Sequence, residues 1–461
     1  MYSCISKLII GPASIAIILL FSITSSIPYD FKSLSQTEDE NNNKELEPWV
    51  HDPNLKVELV SKGLNSPSSI AFLGPNDILV LEKYEGKVHR IIDGNLLEEP
   101  ILDLPVSNKF ERGMLGIAVA ENDDKGKPTY VYLYYTESPT DEDGTDVCPA
   151  SYHCDPGNNP AGNRLYRYEL IRNNLVNPRL LLDLPALPGP AHNGGKVVIG
   201  PDNNVYVTIG DVLGYRNKSS SSKVLNFENG TYADGRGGIL RIAQDGNEVG
   251  TGIIGKSHPL NLYYAYGIRN SFGIDFDPVT GKLWDTENGP DYGDEINLVE
   301  PGFNSGWIEV QGIWKPAYDE IRGGDFIAGH KIGTNHEDSF EDFGQKGKYS
   351  SPEFTWYNPV APTGLTFLNS NKFGENYQND IFVGDYRNGT IYRFDLNVNR
   401  TELLLFGELE DRVANTSYEL EEAIFAGGFN AITDLRTGPY DGYLYVLSLG
   451  NGALYKIVPS Q

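Results

Sequence analysis

The stretch Tyr264–Trp307, YAYGIRNSFGIDFDPVTGKLWDTENGPDYGDEINLVEPGFNSGW, contains the unit from which the rest of the chain is read. Within it, GIDFDPVTGKLWDTEN alternates apolar and polar residues on both sides of Pro278-Val279-Thr280-Gly281, a hairpin signal. The turn-rich ENGPDYGDEIN follows, and INLVE reads as a further short strand. The loop between carries Asn288, Gly289, Pro290, Asp291, Asp294 and Glu295. Hard cations take oxygen ligands, and Ca²⁺ accepts backbone carbonyls as well as carboxylates. A Gly-Pro pair pinned between strands can aim carbonyls at one point, with Asp294 and Glu295 adding charge. An acidic surface loop is the alternative reading. Arg269-Asn270, at the entrance to the hairpin, offers a cation and an amide.

The same unit recurs from Ser68, Gly113, Gly194, Ser271, Thr363 and Ala431. Each copy is an apolar strand, a Pro/Asn/Asp/Gly turn and an aromatic-rich strand, usually followed by a Gly-led third strand. One blade of this kind cannot bury both faces without neighbours, so the repeat predicts an all-β, six-bladed β-propeller of four-stranded antiparallel blades. A β-sandwich would not need six similar units. LKVELVSKGL, from Leu55, precedes the first copy without a partner and is expected to pair into the last blade. Two long insertions, Val212 to Arg236 and Gln311 to Tyr349, are expected on a functional face. The second carries His330 and His336, read as solvated loop residues.

A length of 461 residues suits one repeating architecture better than one ordinary core. The net charge of −26 excludes non-specific nucleic-acid binding, because a phosphate backbone would be repelled. Residues Leu8 to Ile27 are uncharged and follow Lys7, which reads as a signal peptide or an N-terminal membrane anchor within residues 1–29. Residues 30–54 read as a polar acidic linker, and the propeller is expected over 55–461. The expected location is extracytoplasmic, secreted or anchored to the outer face of the cell membrane. Cys148 and Cys154, in CPASYHC, fit a disulfide in an oxidising compartment. A metal site with His153 matches no zinc spacing. Five Asn-X-Ser/Thr sequons, at Asn217, Asn229, Asn388, Asn399 and Asn415, fit an external surface.

His192, in LPGPAHNGGKVVIGPDNNVYVTIGD, precedes a Gly-Gly strand start and is placed at a blade's inner edge, facing the axial channel. A neutral imidazole there suits a general base. The other reading is a histidine bonded to a neighbouring loop.

The order and spacing of ERGMLGIA at Glu111, HNGGKVVIGPDNNVYVTIGD at His192, GILRI at Gly238, YGIRNSFGIDFDPVTGKLW at Tyr266, ENGPDYGDEINLVEPGFNSGW at Glu287 and APTGLTF at Ala361 carry a resemblance. From Leu55 onward the chain resembles the soluble glucose/sorbosone (aldose sugar) dehydrogenases, propellers that use pyrroloquinoline quinone (PQQ) and Ca²⁺. The resemblance implies oxidation of an aldose at C1 to its lactone, with hydride passing to the quinone and then to an external electron acceptor. His192 matches the family's base. Gly289 and Pro290 match the carbonyl pair holding Ca²⁺, while Asn288, Asp294 and Glu295 fall in or near a second, structural Ca²⁺ loop. Arg269 and Asn270 match residues that reach the quinone oxygens, Arg387 a cation under the cofactor, and Glu111 an amide that touches sugar. The departure is in the last unit, GGFNAITDLRTG, where Ala431 and Thr433 stand in place of two arginines that bind cofactor carboxylates. Related propellers lack dehydrogenase activity, so the alternative is a non-catalytic extracellular propeller that binds carbohydrate or protein. A metal-dependent lactonase is a third reading. Its axial ion would want carboxylates from several units, and here they cluster in one loop.

Overall fold

The computed structural model describes residues 47–120, 128–148, 157–213, 222–319, 325–334 and 340–460. The fold is an all-β propeller. Six sheets of four to six strands follow one another along the chain, and a separate two-stranded ribbon joins them. Their innermost strands are Pro67–Gly74, Met114–Ala120, Val197–Ile199, Ser271–Phe276, Pro362–Phe367 and Ile432–Thr437. Each packs against the next, and the last returns to the first. We number the sheets first to sixth in that order. The recurrent apolar strand of the sequence is this innermost strand in every sheet.

Uniform four-stranded blades are not what forms. Among the described residues, only the second and sixth sheets have four strands, and the third has six. The extra strands are mostly two-residue pairings made by segments that connect the main strands. Phe303–Asn304, for example, leaves the fourth sheet's sequence and runs parallel to Ala265 and Tyr266 of the third. The Gln311–Tyr349 insertion forms the ribbon, in which Trp314–Asp319 pairs with Asp325–Lys331. His330 is exposed on it, and His336 lies outside the described residues.

Leu55–Lys62 pairs antiparallel with Ala453–Pro459, so an N-terminal strand completes the sixth sheet as the unpartnered LKVELVSKGL requires. The expected linker is corrected at its C-terminal end. Trp49 and Val50 already pair with Gly427 and Ala426 of the fifth sheet. Gly427 permits this, since a Cβ there would meet the Trp49 indole at 2.7 Å. Cys148 is disulfide-bonded, and its expected partner Cys154 lies outside the described residues. Among the described residues no helix is long and apolar enough to cross a membrane. The candidate leader falls outside them.

Between the sheets, apolar faces stack into clusters such as Tyr132, Tyr134, Val207 and Leu240, all fully buried. Deeper between the inner strands the contacts turn ionic. Lys196 of the third sheet pairs with Asp434 of the sixth. Asp434 also accepts from Ser69 Oγ at 2.7 Å and from the Ile70 amide at 3.0 Å in the first sheet. Burial pushes the Lys196 ammonium down to about 8, with Arg436 adding to the effect and Asp434 opposing it. Burial works against the charge of Asp434 too, but Lys196 and Arg436 hold its carboxyl below the ordinary value. Both groups therefore stay charged at neutral pH.

Candidate active site

The inner strands all begin on one face of the ring, and the residues just before them meet there. His192 precedes the third inner strand with φ of +63°, a left-handed conformation uncommon for a non-glycine residue. Strain of this kind costs about 1–3 kcal/mol and persists only where neighbours fix it. Three do so here. Glu111 Oε2 accepts the His192 amide at 2.6 Å, the Val212 amide donates to the His192 carbonyl at 3.3 Å, and His192 Nδ1 lies 2.6 Å from Asp211 Oδ1.

Asp211 is fully buried and also accepts from the Trp307 indole at 2.8 Å and the Leu213 amide at 2.8 Å. Burial opposes its charge, but the pull of His192, the His192 hydrogen bond, Arg269 and the Trp307 indole together hold its carboxyl below the usual aspartate value. A carboxylate at Nδ1 fixes the tautomer with the proton on Nδ1, which leaves Nε2 as the basic nitrogen. The structure thus builds an Asp–His dyad. Asp211 was not singled out in the sequence, although it closes the quoted motif VYVTIGD, where a strand ends on an acid after glycine.

Arg269 and Asn270 precede the fourth inner strand. The Arg269 amide donates to Glu287 Oε1 at 2.7 Å and its guanidinium to the Asn288 carbonyl at 2.8 Å, 5.5 Å from the centre of the Trp307 ring. Its Nε is buried and has no hydrogen-bond partner among the described residues. Asn270 is committed at both ends. Its amide nitrogen donates to Glu111 at 3.0 Å, and its oxygen accepts from the Gly194 amide at 3.1 Å. Glu111 therefore ties the His192 and Asn270 segments together. Asn270 is placed as a strut in this frame, while Arg269 keeps a donor in hand.

The Asn288–Pro290 turn is tight, because a Cβ on Gly289 would sit 1.9 Å from the Tyr292 carbonyl. Asp294 braces it. Its oxygens accept the amides of Gly289, Val360 and Ala361, each at 2.8 Å. Burial pushes the Asp294 carboxyl up to about 6 against those three amides. Glu295 is likewise engaged, accepting from Gln311 at 2.9 Å and Ser305 at 3.2 Å. Among the described residues, no group of three or more His, Cys, Asp or Glu is arranged to hold a metal. Carbonyl ligation remains. No amide among the described residues donates to the Gly289 or Pro290 carbonyl, and Asn288 Oδ1 is buried without a partner. That set of oxygens fits a hard cation such as Ca²⁺.

Arg387 is exposed at the rim and donates to the Pro359 carbonyl at 2.8 Å. Asp385 shapes its turn by accepting the Asn388 amide and the Tyr392 hydroxyl. Ala431 has φ of +60°, and Thr433 Oγ1 donates to the Pro67 carbonyl at 2.9 Å. Arg436 is not at this face. It lies beside Asp434, 3.4 Å from the Val197 carbonyl, and lines a polar cavity at the other end of the inner strands with Asp275, Lys372 and Asp441.

The inner rim of the propeller thus presents a carboxylate-oriented histidine, a buried arginine and a turn with open carbonyls. The profile of the Glucose / Sorbosone dehydrogenase family matches residues 64–456, and the chain belongs to that family. It is 25% identical over 419 residues to the aldose sugar dehydrogenase YliI of Escherichia coli, covering 89% of this chain and 95% of that one. It is 30% identical over 276 residues to quinoprotein glucose dehydrogenase B of Acinetobacter calcoaceticus, covering 56% and 53%. Among solved structures, the apo form of the E. coli soluble aldose sugar dehydrogenase superposes with a TM-score of 0.62 at 23% identity, covering 88% of this chain and 99% of that one. The PQQ-bound aldose sugar dehydrogenase of Streptomyces coelicolor gives 0.59 at 21%, covering 88% and 98%. At these identities the two structures speak for the fold.

Proposed function

We propose that the chain is an extracytoplasmic aldose dehydrogenase, dependent on PQQ and Ca²⁺ and built on one six-bladed ring, that oxidises C1 of a sugar to the lactone. The observation that carries this reading is the His192–Asp211 dyad on the same rim as Arg269 and the Asn288–Pro290 turn. His192 Nε2 takes the proton of the C1 hydroxyl. The C1 hydrogen leaves with its electron pair, and the C1–O bond becomes a carbonyl. Asp211 stabilises the imidazolium that forms and holds the ring in place. PQQ, if bound, would supply the two-electron hydride acceptor, and Ca²⁺ held by the Asn288–Pro290 turn would strengthen it as a Lewis acid. Asn288 Oδ1 and the Gly289 and Pro290 carbonyls are the oxygens available to the ion. Arg269 supplies positive charge where negative charge builds on the acceptor. Electrons then pass to an external acceptor.

Ala431 and Thr433 favour a second reading, a surface propeller that binds carbohydrate or protein without PQQ. Titrating PQQ into the purified protein with excess Ca²⁺, followed by aldose-dependent dye reduction, separates the two. Saturable PQQ binding with sugar-dependent turnover supports the dehydrogenase. Neither one, at any PQQ concentration, leaves the binding propeller.

A further inference from the structure

PQQ carries three carboxylates, and a buried carboxylate needs a charged or hydrogen-bonding partner. The sixth sheet offers none at Ala431 and Thr433. The first sheet lies beside that gap. Thr433 Oγ1 bonds to the Pro67 carbonyl, and the adjoining Ser66 carbonyl accepts the Lys83 amide at 3.0 Å. Lys83 follows the strand Asp77–Glu82, at the end that faces the rim.

We propose that Lys83 is the cation that pairs with a cofactor carboxylate on the side of the ring where Ala431 and Thr433 stand, an inference that rests on the PQQ reading above. Its side chain is buried. Nζ donates to the Phe110 carbonyl at 2.6 Å and lies 3.8 Å from the centre of the Tyr84 ring. Phe110 adjoins Glu111, the residue that holds the His192 amide, so this ammonium borders the dyad's own frame. Space for the lysine stem is built in. Gly113 has φ of +140°, and a Cβ there would lie 2.8 Å from Lys83 Cγ.

Among the described residues Lys83 makes no ion pair within 4.0 Å, although Glu111 and Asp146 exert a longer-range pull. An ammonium buried with one carbonyl and no counter-ion is costly, and an anion delivered to it removes that cost. Burial accordingly pushes its pKa down to about 7. Other cations are placed differently, with Arg269 turned to the Asn288 carbonyl. Lys196 is paired with Asp434, Arg436 lines the far cavity, and Arg387 sits exposed against Pro359.

The test measures the Kd of PQQ, and of its trimethyl ester, by fluorescence titration with excess Ca²⁺. The proteins are the parent, Lys83→Met and Lys83→Arg, with melting temperatures taken without PQQ to establish folding. The expected result is PQQ affinity reduced about tenfold to a hundredfold in Lys83→Met, taking a charged hydrogen bond as the guide. Lys83→Arg should stay within a few-fold of the parent. The ester, without carboxylates, should bind parent and Lys83→Met equally. A folded Lys83→Met that binds PQQ as tightly as the parent overturns the assignment and leaves the dehydrogenase reading standing. A parent that binds no PQQ overturns both. If Lys83→Met does not fold, Lys83→Gln takes its place, and the same comparison decides.

Discussion

Two sets of buried charges lie along the inner strands, and they are finished differently. Deep between the sheets, Lys196 and Arg436 are both paired in charge with Asp434, although Arg436 Nε makes no hydrogen bond among the described residues, and Asp434 adds a hydroxyl and an amide from the first sheet. At the rim, among the described residues, Arg269 Nε and Asn288 Oδ1 are buried without hydrogen-bond partners, and Lys83 has a carbonyl but no counter-ion. Unsatisfied buried polar groups are costly and uncommon in native proteins. A set gathered where the inner strands start is what a site built to receive a polar ligand leaves open. The deep set joins opposite sides of the ring. The rim set holds its residues ready.

Substitutions should separate the two sets. The largest effect is expected from His192→Ala, which should lower sugar-dependent turnover by about 10²–10⁴-fold, the usual range for loss of a general base. PQQ affinity and melting temperature should change little. Unchanged turnover would move proton transfer elsewhere and make the strained His192 structural.

Lys196→Met tests the deep set and should have the opposite signature. Breaking a buried ion pair from one side costs about 3–5 kcal/mol, so urea unfolding should show that loss while PQQ affinity holds. If stability survives and the cofactor is lost, the contrast between rim and interior fails. Asp294→Asn falls between the sets. An amide NH₂ would face at least one of three backbone amides, so stability should drop by about 1–3 kcal/mol. Ca²⁺ affinity should fall with it, because the same amides hold the carbonyl-bearing turn. A variant whose melting temperature still responds to Ca²⁺ as the parent's does would separate the brace from the ion.

Ala431→Arg with Thr433→Arg should fill the gap beside Lys83 and tighten PQQ binding by about 1.5–3 kcal/mol for each charged hydrogen bond gained. No gain would mean that the existing cations already satisfy the carboxylates. A last test concerns pH. Lys83 has its pKa lowered on folding, from 10.5 to about 7, by burial against the pull of Glu111 and Asp146, with Tyr84 under the ammonium. Between those values the unfolded chain holds a proton that the folded one lacks, so stability rises with pH. Without PQQ, the parent's melting temperature should therefore gain on that of Lys83→Met as pH goes from 7 to 10. Parallel profiles would mean that Lys83 stays charged throughout.

The propeller was legible because its signals are local. Alternation along a strand and turn residues such as Pro278 to Gly281 act within a few positions, and they repeat. The positions of His192, Arg269 and the Gly289-Pro290 pair in the fold were legible for a related reason, since each sits where an inner strand begins or a hairpin turns. The strand counts were not. The two-residue pairings of Phe303–Asn304 and Val413–Ala414 depend on which neighbouring sheet edge their connecting segments reach.

The sequence alone determined the repeating unit and the strand starts that carry His192 and Arg269, and the resemblance added the departure at Ala431 and Thr433. Only the tertiary structure decided which charges meet. Lys196 and Asp434 are 238 residues apart, and His192 and Asp211 are 19 apart across a hairpin. It also sent Arg436 to the far end of the inner strands, gave Asp294 to three amides and brought Lys83 beside Glu111. The physical reason is range. Hydrogen-bond periodicity and turn chemistry are fixed by adjacent residues, whereas burial and the partner of a charge are fixed by how the sheets close on one another.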